Sequence, residues 1–189
     1  LIAVEGSDRR VKQAAKLFSE LAGAPLIPDI EWRMLAAACR GLFLAEQILR
    51  DGRRFDWFVQ AVCAGYGPLG IYNALGALVR GGCLDSEQAP KLLVVQQQGL
   101  SPIAQAWQQG RESLPPQTAA AWKEDPIEPV LCYAYPDQTY PLLYQTLVTW
   151  GGEATAISKA DFDHYGREFL SRVEDAGVKL VRATNEERI

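Results

Sequence analysis

The sequence predicts an α/β fold, a mostly parallel sheet with helices on both faces. Three observations predict it. Short apolar or β-branched runs, such as 57–62 (Trp-Phe-Val-Gln-Ala-Val) and 92–95 (Leu-Leu-Val-Val), alternate with longer stretches of helical period. Glycine and proline punctuate the changeovers, as at Gly23 and Pro25, Gly81-Gly82 and Gly151-Gly152. A glycine-rich turn at 65–70 sits where a strand hands over to a helix.

The elements follow in order. Residues 1–5 read as a short buried strand, and Gly6-Ser7-Asp8 as the turn that caps the next helix. In that helix Val11, Ala14, Ala15, Phe18 and Leu21 recur at helical spacing. Pro28-Asp29 opens a second helix with an apolar stripe of Ile30, Met34, Leu35, Ala38, Leu42, Ala45 and Leu49. The strand at 57–62 is aromatic and β-branched, as strands prefer. Leu69, Tyr72, Leu75 and Val79 mark the helix after the glycine turn. The strand at 92–95 and a short helix at 102–110 follow. Four prolines make 112–129 mostly loop. Residues 130–135 are strand-like, 140–150 helical and 154–157 a strand. Ser158 caps a helix with a predicted buried face of Phe162, Tyr165, Phe169 and Val173, and 178–181 is a last strand.

The chain of 189 residues is 48% hydrophobic and 22% charged, enough for one domain with a core of its own. Its net charge of −4 gives no field that would draw it to nucleic acid or anionic lipid. No apolar run reaches the roughly 18 residues of a membrane span, and none resembles a secretory leader. Cys39, Cys63, Cys83 and Cys132 lack the close spacing of a zinc knuckle or a redox dithiol, so four reduced thiols and no metal site are expected, with a cytoplasmic location. His164, the single histidine, reads as a surface residue, and no G-x-S-x-G elbow supports a serine hydrolase. The first residue is Leu1, and the chain is expected to be a piece of a longer protein.

The informative segment is Gly65-Tyr66-Gly67-Pro68-Leu69-Gly70. Glycines there let the backbone turn tightly and let amide N–H groups approach an anion at the positive end of a helix. Pro68 fits the first helical turn, where its missing N–H matters least. Three readings compete. G-x-G-x-x-G fits a dinucleotide fold, but the next strand ends in Gln96-Gln97-Gln98 rather than in a ribose-binding acid, and Asp85 lies in the loop before that strand. The second reading is a purely structural turn. The third is a phosphate cup for another cofactor.

The residues around this turn resemble the phosphate-loop region of fold-type II pyridoxal-phosphate enzymes, nearest to threonine synthase and cysteate synthase. The resemblance rests on Val59-Gln60-Ala61-Val62 running into the glycine turn, on Pro90–Gln96 followed by Ser101-Pro102-Ile103 and Ala106-Trp107, and on Thr139–Tyr144. It continues through Gly151–Ser158 and Glu174–Val178 in the same order. It implies a tryptophan synthase β-like large domain at 29–189 and the end of a smaller N-terminal-type domain at 1–28. It further implies pyridoxal 5'-phosphate as cofactor, held by Gly65, Tyr66, Gly67, Leu69 and Gly70, with Cys63 and Tyr66 near the ring. A small amino-acid substrate, elimination or replacement at its β or γ carbon with a phosphate leaving group, and a homodimer complete the expectation.

Pro68 stands where the family has a glycine and cannot donate an N–H; Leu69 stands where some relatives have a threonine hydroxyl. The family's cofactor lysine lies in an S-x-K motif, and none of Lys12, Lys16, Lys91, Lys123, Lys159 and Lys179 is in one. No catalytic residue is assigned. The rival from another class is a partner subunit or interaction module that keeps the fold without the lysine, with Trp32, Trp57, Trp107, Trp122 and Trp150 available for an interface.

Overall fold

A computed structural model describes residues 8–26, 30–115 and 126–177. The predicted strands at 1–5 and 178–181, the turn before the first helix and the Pro28-Asp29 start of the second lie outside the described residues. The chain divides into two compact units, residues 1–32 and 33–189.

The first unit holds helix α1 (Asp8–Ala22). Gly23 follows it with φ of 61°, the left-handed region in which a glycine ends a helix without strain. Its apolar stripe is not buried as the periodicity predicts, for Phe18 and Leu21 are 55% and 79% exposed.

The second unit is built on a parallel sheet flanked by helices, in the order β1 (Trp57–Ala61), β2 (Lys91–Gln97), β3 (Glu153–Ile157). The register pairs Trp57 with Lys91, Ala61 with Val95, and Gln96 with Ala156. Helix α2 (Ile30–Asp51) precedes β1. Helix α3 (Tyr66–Arg80) joins β1 to β2. Helices α4 (Pro102–Gln108) and α5 (Tyr140–Trp150) join β2 to β3, and α6 (Lys159–Asp175) follows. Leu92 and Val94 of β2, Ile71 and Leu75 of α3, and Leu143 and Leu147 of α5 are completely buried in one core. Burying a side chain of this size stabilises the fold by roughly 1.5–3 kcal/mol. Tyr72 closes the core at one end, donating to Pro90 O at 2.9 Å and meeting Phe58 and Trp150 edge-on. Tyr140 closes it beside Tyr144, donating to Arg111 O at 2.7 Å.

Local signals act as the sequence predicts at several ends. Ser158 and Asp161 form a reciprocal capping box on α6. Gly151 ends α5 at φ of 64°.

Two predicted faces and one predicted strand are corrected. On α2 the buried residues are Ala37, Gly41, Ala45 and Ile48, while Leu35, Leu42 and Leu49 of the predicted stripe are half or more exposed. The cause is close approach. A Cβ on Gly41 would strike Ile71 O of α3, and a Cβ on Gly70 would strike Met34 O and Ala37 Cβ of α2. Only small residues fit that contact, so volume and not hydropathy selects the inner face. On α6, Phe162 and Gly166 are buried, whereas Tyr165 and Phe169 are exposed. Residues 130–135 form no strand. A single 3-10 turn (Pro129–Leu131) stands there, because Glu128 accepts from Val130 N and Cys132 N donates back to Pro129 O. Local bonds thus take the backbone groups a ladder would need.

Candidate functional site

Ligands of open parallel sheets bind beyond the carboxyl ends of the strands. In this chain the glycine turn occupies that end of β1. Three bonds hold it. Val62 N donates to Val95 O at 3.0 Å, extending the β1–β2 ladder past Ala61. The buried Thr139 hydroxyl, at the start of α5, donates to Ala64 O. Leu69 N donates to Gly65 O at 3.3 Å, closing the first turn of α3. Gly65 is the N-cap with φ of 86°, a conformation that a Cβ would strain. It has no side chain to take up the helix's first amides. Among the described residues, the N–H groups of Gly65 and Gly67 donate to no protein acceptor. Pro68 has no N–H to offer.

The residues around the turn add positive charge. A Cβ on Gly67 would lie 3.0 Å from Arg40 Nη2 and would meet the Gln60 amide, so the bare backbone there is approached by a guanidinium from α2. The Arg33 guanidinium stands 5.7 Å from the centre of the Tyr66 ring. Both cations lie at the positive end of the 15-residue α3, where dipole and charge favour an anion together. Gln60 Oε1 is buried without a hydrogen-bond partner, and so is Gln96 Nε2.

The sequence-predicted site residues divide. Gly65, Tyr66 and Gly67 form the opening of α3. Leu69 is 2% exposed, with its N–H already engaged by Gly65 O. Gly70 faces the α2 backbone. Cys63 lies half-buried at the base of the turn. Arg33, Arg40 and Thr139 went unread in the sequence. The signal for the arginines was their seven-residue spacing on α2, which puts both on one helix face.

Gln96 and Gln97 also have defined partners. Gln96 Oε1 accepts from Ile103 N at 2.9 Å and Ala104 N at 3.2 Å, tying α4 to the sheet. Gln97 Oε1 accepts from Ile127 N and Glu128 N, and its Nε2 donates to Glu128 O and the Cys132 sulfur. One buried side chain therefore pins the segment 127–132 to the end of β2. Asp85 is committed to a capping box with Gln88 ahead of β2. So engaged, Asp85 is not placed for a ribose, and the dinucleotide reading loses that support.

Lys91 lies at the amino end of β2, its Nζ 5.4 Å from the Trp57 ring centre. It borders a cavity of about 380 Å³ that Arg54, Asp56 and Glu87 also line. Lys159 is exposed on the first turn of α6, and Lys16 on α1. Among the described residues no group of acids, histidine and cysteines could hold a metal ion, and no helix is long and apolar enough to cross a membrane.

No family model matches the chain. It is similar to cysteate synthase of Methanospirillum hungatei JF-1, 28% identical over 136 residues, which are 69% of this chain and 32% of that protein. Its structure is similar to that of the T.th. threonine deaminase, with a TM-score of 0.52 and 17% identity, over 73% of this chain and 44% of that one. The chain thus spans less than half the length of either relative. Its parallel sheet, its helices and the turn at the end of β1 define a tryptophan synthase β-like architecture. The likeness to the solved structure is one of fold.

Proposed function

We propose that this chain is the cofactor-phosphate-binding part of a pyridoxal-phosphate enzyme of the threonine synthase or cysteate synthase kind. In this reading the N–H groups of Gly65, Tyr66 and Gly67 receive the cofactor phosphate, and Arg40 and Arg33 balance its charge. The observation that carries it is the opening of α3. Two glycine amides without protein acceptors stand at a helix N-terminus, beside a guanidinium that fills the space where a Gly67 Cβ would stand. Each hydrogen bond to a charged group contributes about 1.5–3 kcal/mol, so the lost Pro68 donor weakens the cup without abolishing it.

The donor set fits a phosphate. When bound, the cofactor would supply an electron sink for bonds at the substrate's α carbon. In this reading the lysine that would carry it covalently comes from outside these 189 residues, because none of the six lysines stands in an S-x-K motif. The substrate is an amino acid with a phosphate leaving group, and the reaction is elimination or replacement at its β or γ carbon. Small-molecule chemistry in the cytoplasm, by a homodimer, completes the reading. The likeness to cysteate synthase supports this assignment.

The test is to mix the full-length protein with pyridoxal 5'-phosphate and record its spectrum. A saturable visible band distinct from that of free cofactor is expected, weakened in a Gly67→Ala variant. Saturable phosphate binding without that band, with every lysine present, would favour the non-catalytic subunit instead.

A further inference from the structure

Gln60 stands near the carboxyl end of β1, and its carboxamide is oriented against its own hydrogen-bonding needs. Oε1 is buried without a partner, and a buried carbonyl left so destabilises the folded state. Nε2 faces the opening of α3 instead. A Cβ on Gly67 would clash with it and would lie 3.0 Å from Arg40 Nη2. In a helix the Cα–Cβ bond tilts toward the N-terminus, so both nitrogens stand at the mouth of α3, beside the Gly67 N–H. Among the described residues neither nitrogen has an acceptor. Two donors that converge on one point repel each other, whereas an anion between them gives each a charge-assisted bond.

We infer that Gln60 is a further binding residue of the phosphate site, its Nε2 donating to the anion beside Arg40 and supplying a donor where Pro68 has none. The inference rests on the reading of the α3 opening as a phosphate site, and adds to it a side-chain donor from β1. A phosphate monoester carries three terminal acceptor oxygens, enough to serve the glycine amides, Arg40 of α2 and Gln60 of β1 together. The unpaired Oε1 is what this orientation costs the fold, a local rule broken where a ligand is served. The opposite orientation would give Oε1 to Arg40 and make Gln60 a brace for the opening, with no donor for the anion. The two roles differ in what loss of the carboxamide does to stability.

The experiment compares the full-length protein with its Gln60→Met and Gln60→Glu variants, by urea midpoint without ligand and by calorimetry with inorganic phosphate. Gln60→Met keeps the length of the side chain and removes both polar atoms. The urea midpoint is expected to stay or rise, because the unpaired Oε1 is gone, while phosphate affinity falls about tenfold. Gln60→Glu sets a carboxylate against Arg40 and is expected to weaken phosphate binding further. In the unaltered protein the Gln60 side-chain NH2 resonances are expected to shift with phosphate and to saturate together with the Gly65 and Gly67 amides. Unchanged phosphate affinity in Gln60→Met would overturn the inference. So would an affinity loss matched by a lower urea midpoint, the mark of a side chain that only braces the opening. In both cases saturable shifts at Gly65 and Gly67 would leave the phosphate site standing. No shift at Gly65, Gly67 or Gln60 would overturn that site and this inference together.

Discussion

Gly65 and Gly67 open α3, and Gly70 lies one turn further along the same six-residue motif, yet the two regions use the absence of a side chain differently. At the opening, missing side chains leave amide donors bare and let Arg40 approach the backbone. At the α2–α3 contact, Gly70 and Gly41 let two helices meet at distances that a Cβ would forbid. The first region can serve a ligand; the second serves packing. A pattern of glycines therefore does not specify one job, and the neighbours of each glycine decide which job it has.

The largest effect that would break this division is at the packing end. Gly70→Leu should cost about 3 kcal/mol or more, read from the urea midpoint, because the new side chain meets the backbone of α2. Loss of phosphate binding without loss of stability would show that Gly70 belongs with the opening instead. Next is Gln97→Leu, which removes the acceptor that Gln97 Oε1 gives the half-buried Ile127 and Glu128 amides and should cost about 2 kcal/mol. Hydrogen exchange at those two amides should speed up while the β1–β2 ladder stays protected.

Gly67→Ala sharpens the contrast. Its Cβ meets only the far ends of the Gln60 and Arg40 side chains, which can move. Stability should change by less than about 1 kcal/mol, and calorimetry with inorganic phosphate should show affinity falling about tenfold. The smallest effect is alkaline. Burial first, then Tyr144, raises the Tyr140 hydroxyl from 10.0 to about 12. The folded state therefore holds this proton more tightly than the unfolded chain does. That contribution is complete below pH 10 and is lost as pH rises towards 12. Tyr140→Phe should flatten the decline of the urea midpoint across this window.

The parts of the fold legible in the sequence were those set by local chemistry. The aromatic and β-branched run at β1, the Gly151 stop of α5 and the Ser158 cap of α6 each act through near neighbours in the chain. The inner face of α2 was not legible, since its small residues matter only once α3 is known to lie against them. The strand expected at 130–135 failed for a related reason. Its apolar run reads as strand, but Glu128, Pro129 and the distant Gln97 engage the local backbone first. For the site, the turn itself was legible from its glycines. Arg33 and Arg40 were not, because an arginine on an amphipathic helix gives no sign of which helix end it will face.

The most direct measurement is a titration of the ¹⁵N-labelled protein with inorganic phosphate, following the backbone amides of Gly65, Gly67, Gly41 and Gly70. The predicted result is saturable shifts at Gly65 and Gly67, with Gly41 and Gly70 unmoved. Shifts spread evenly over the surface, or none at Gly65 and Gly67 while the protein remains folded, would contradict a phosphate site at the opening of α3.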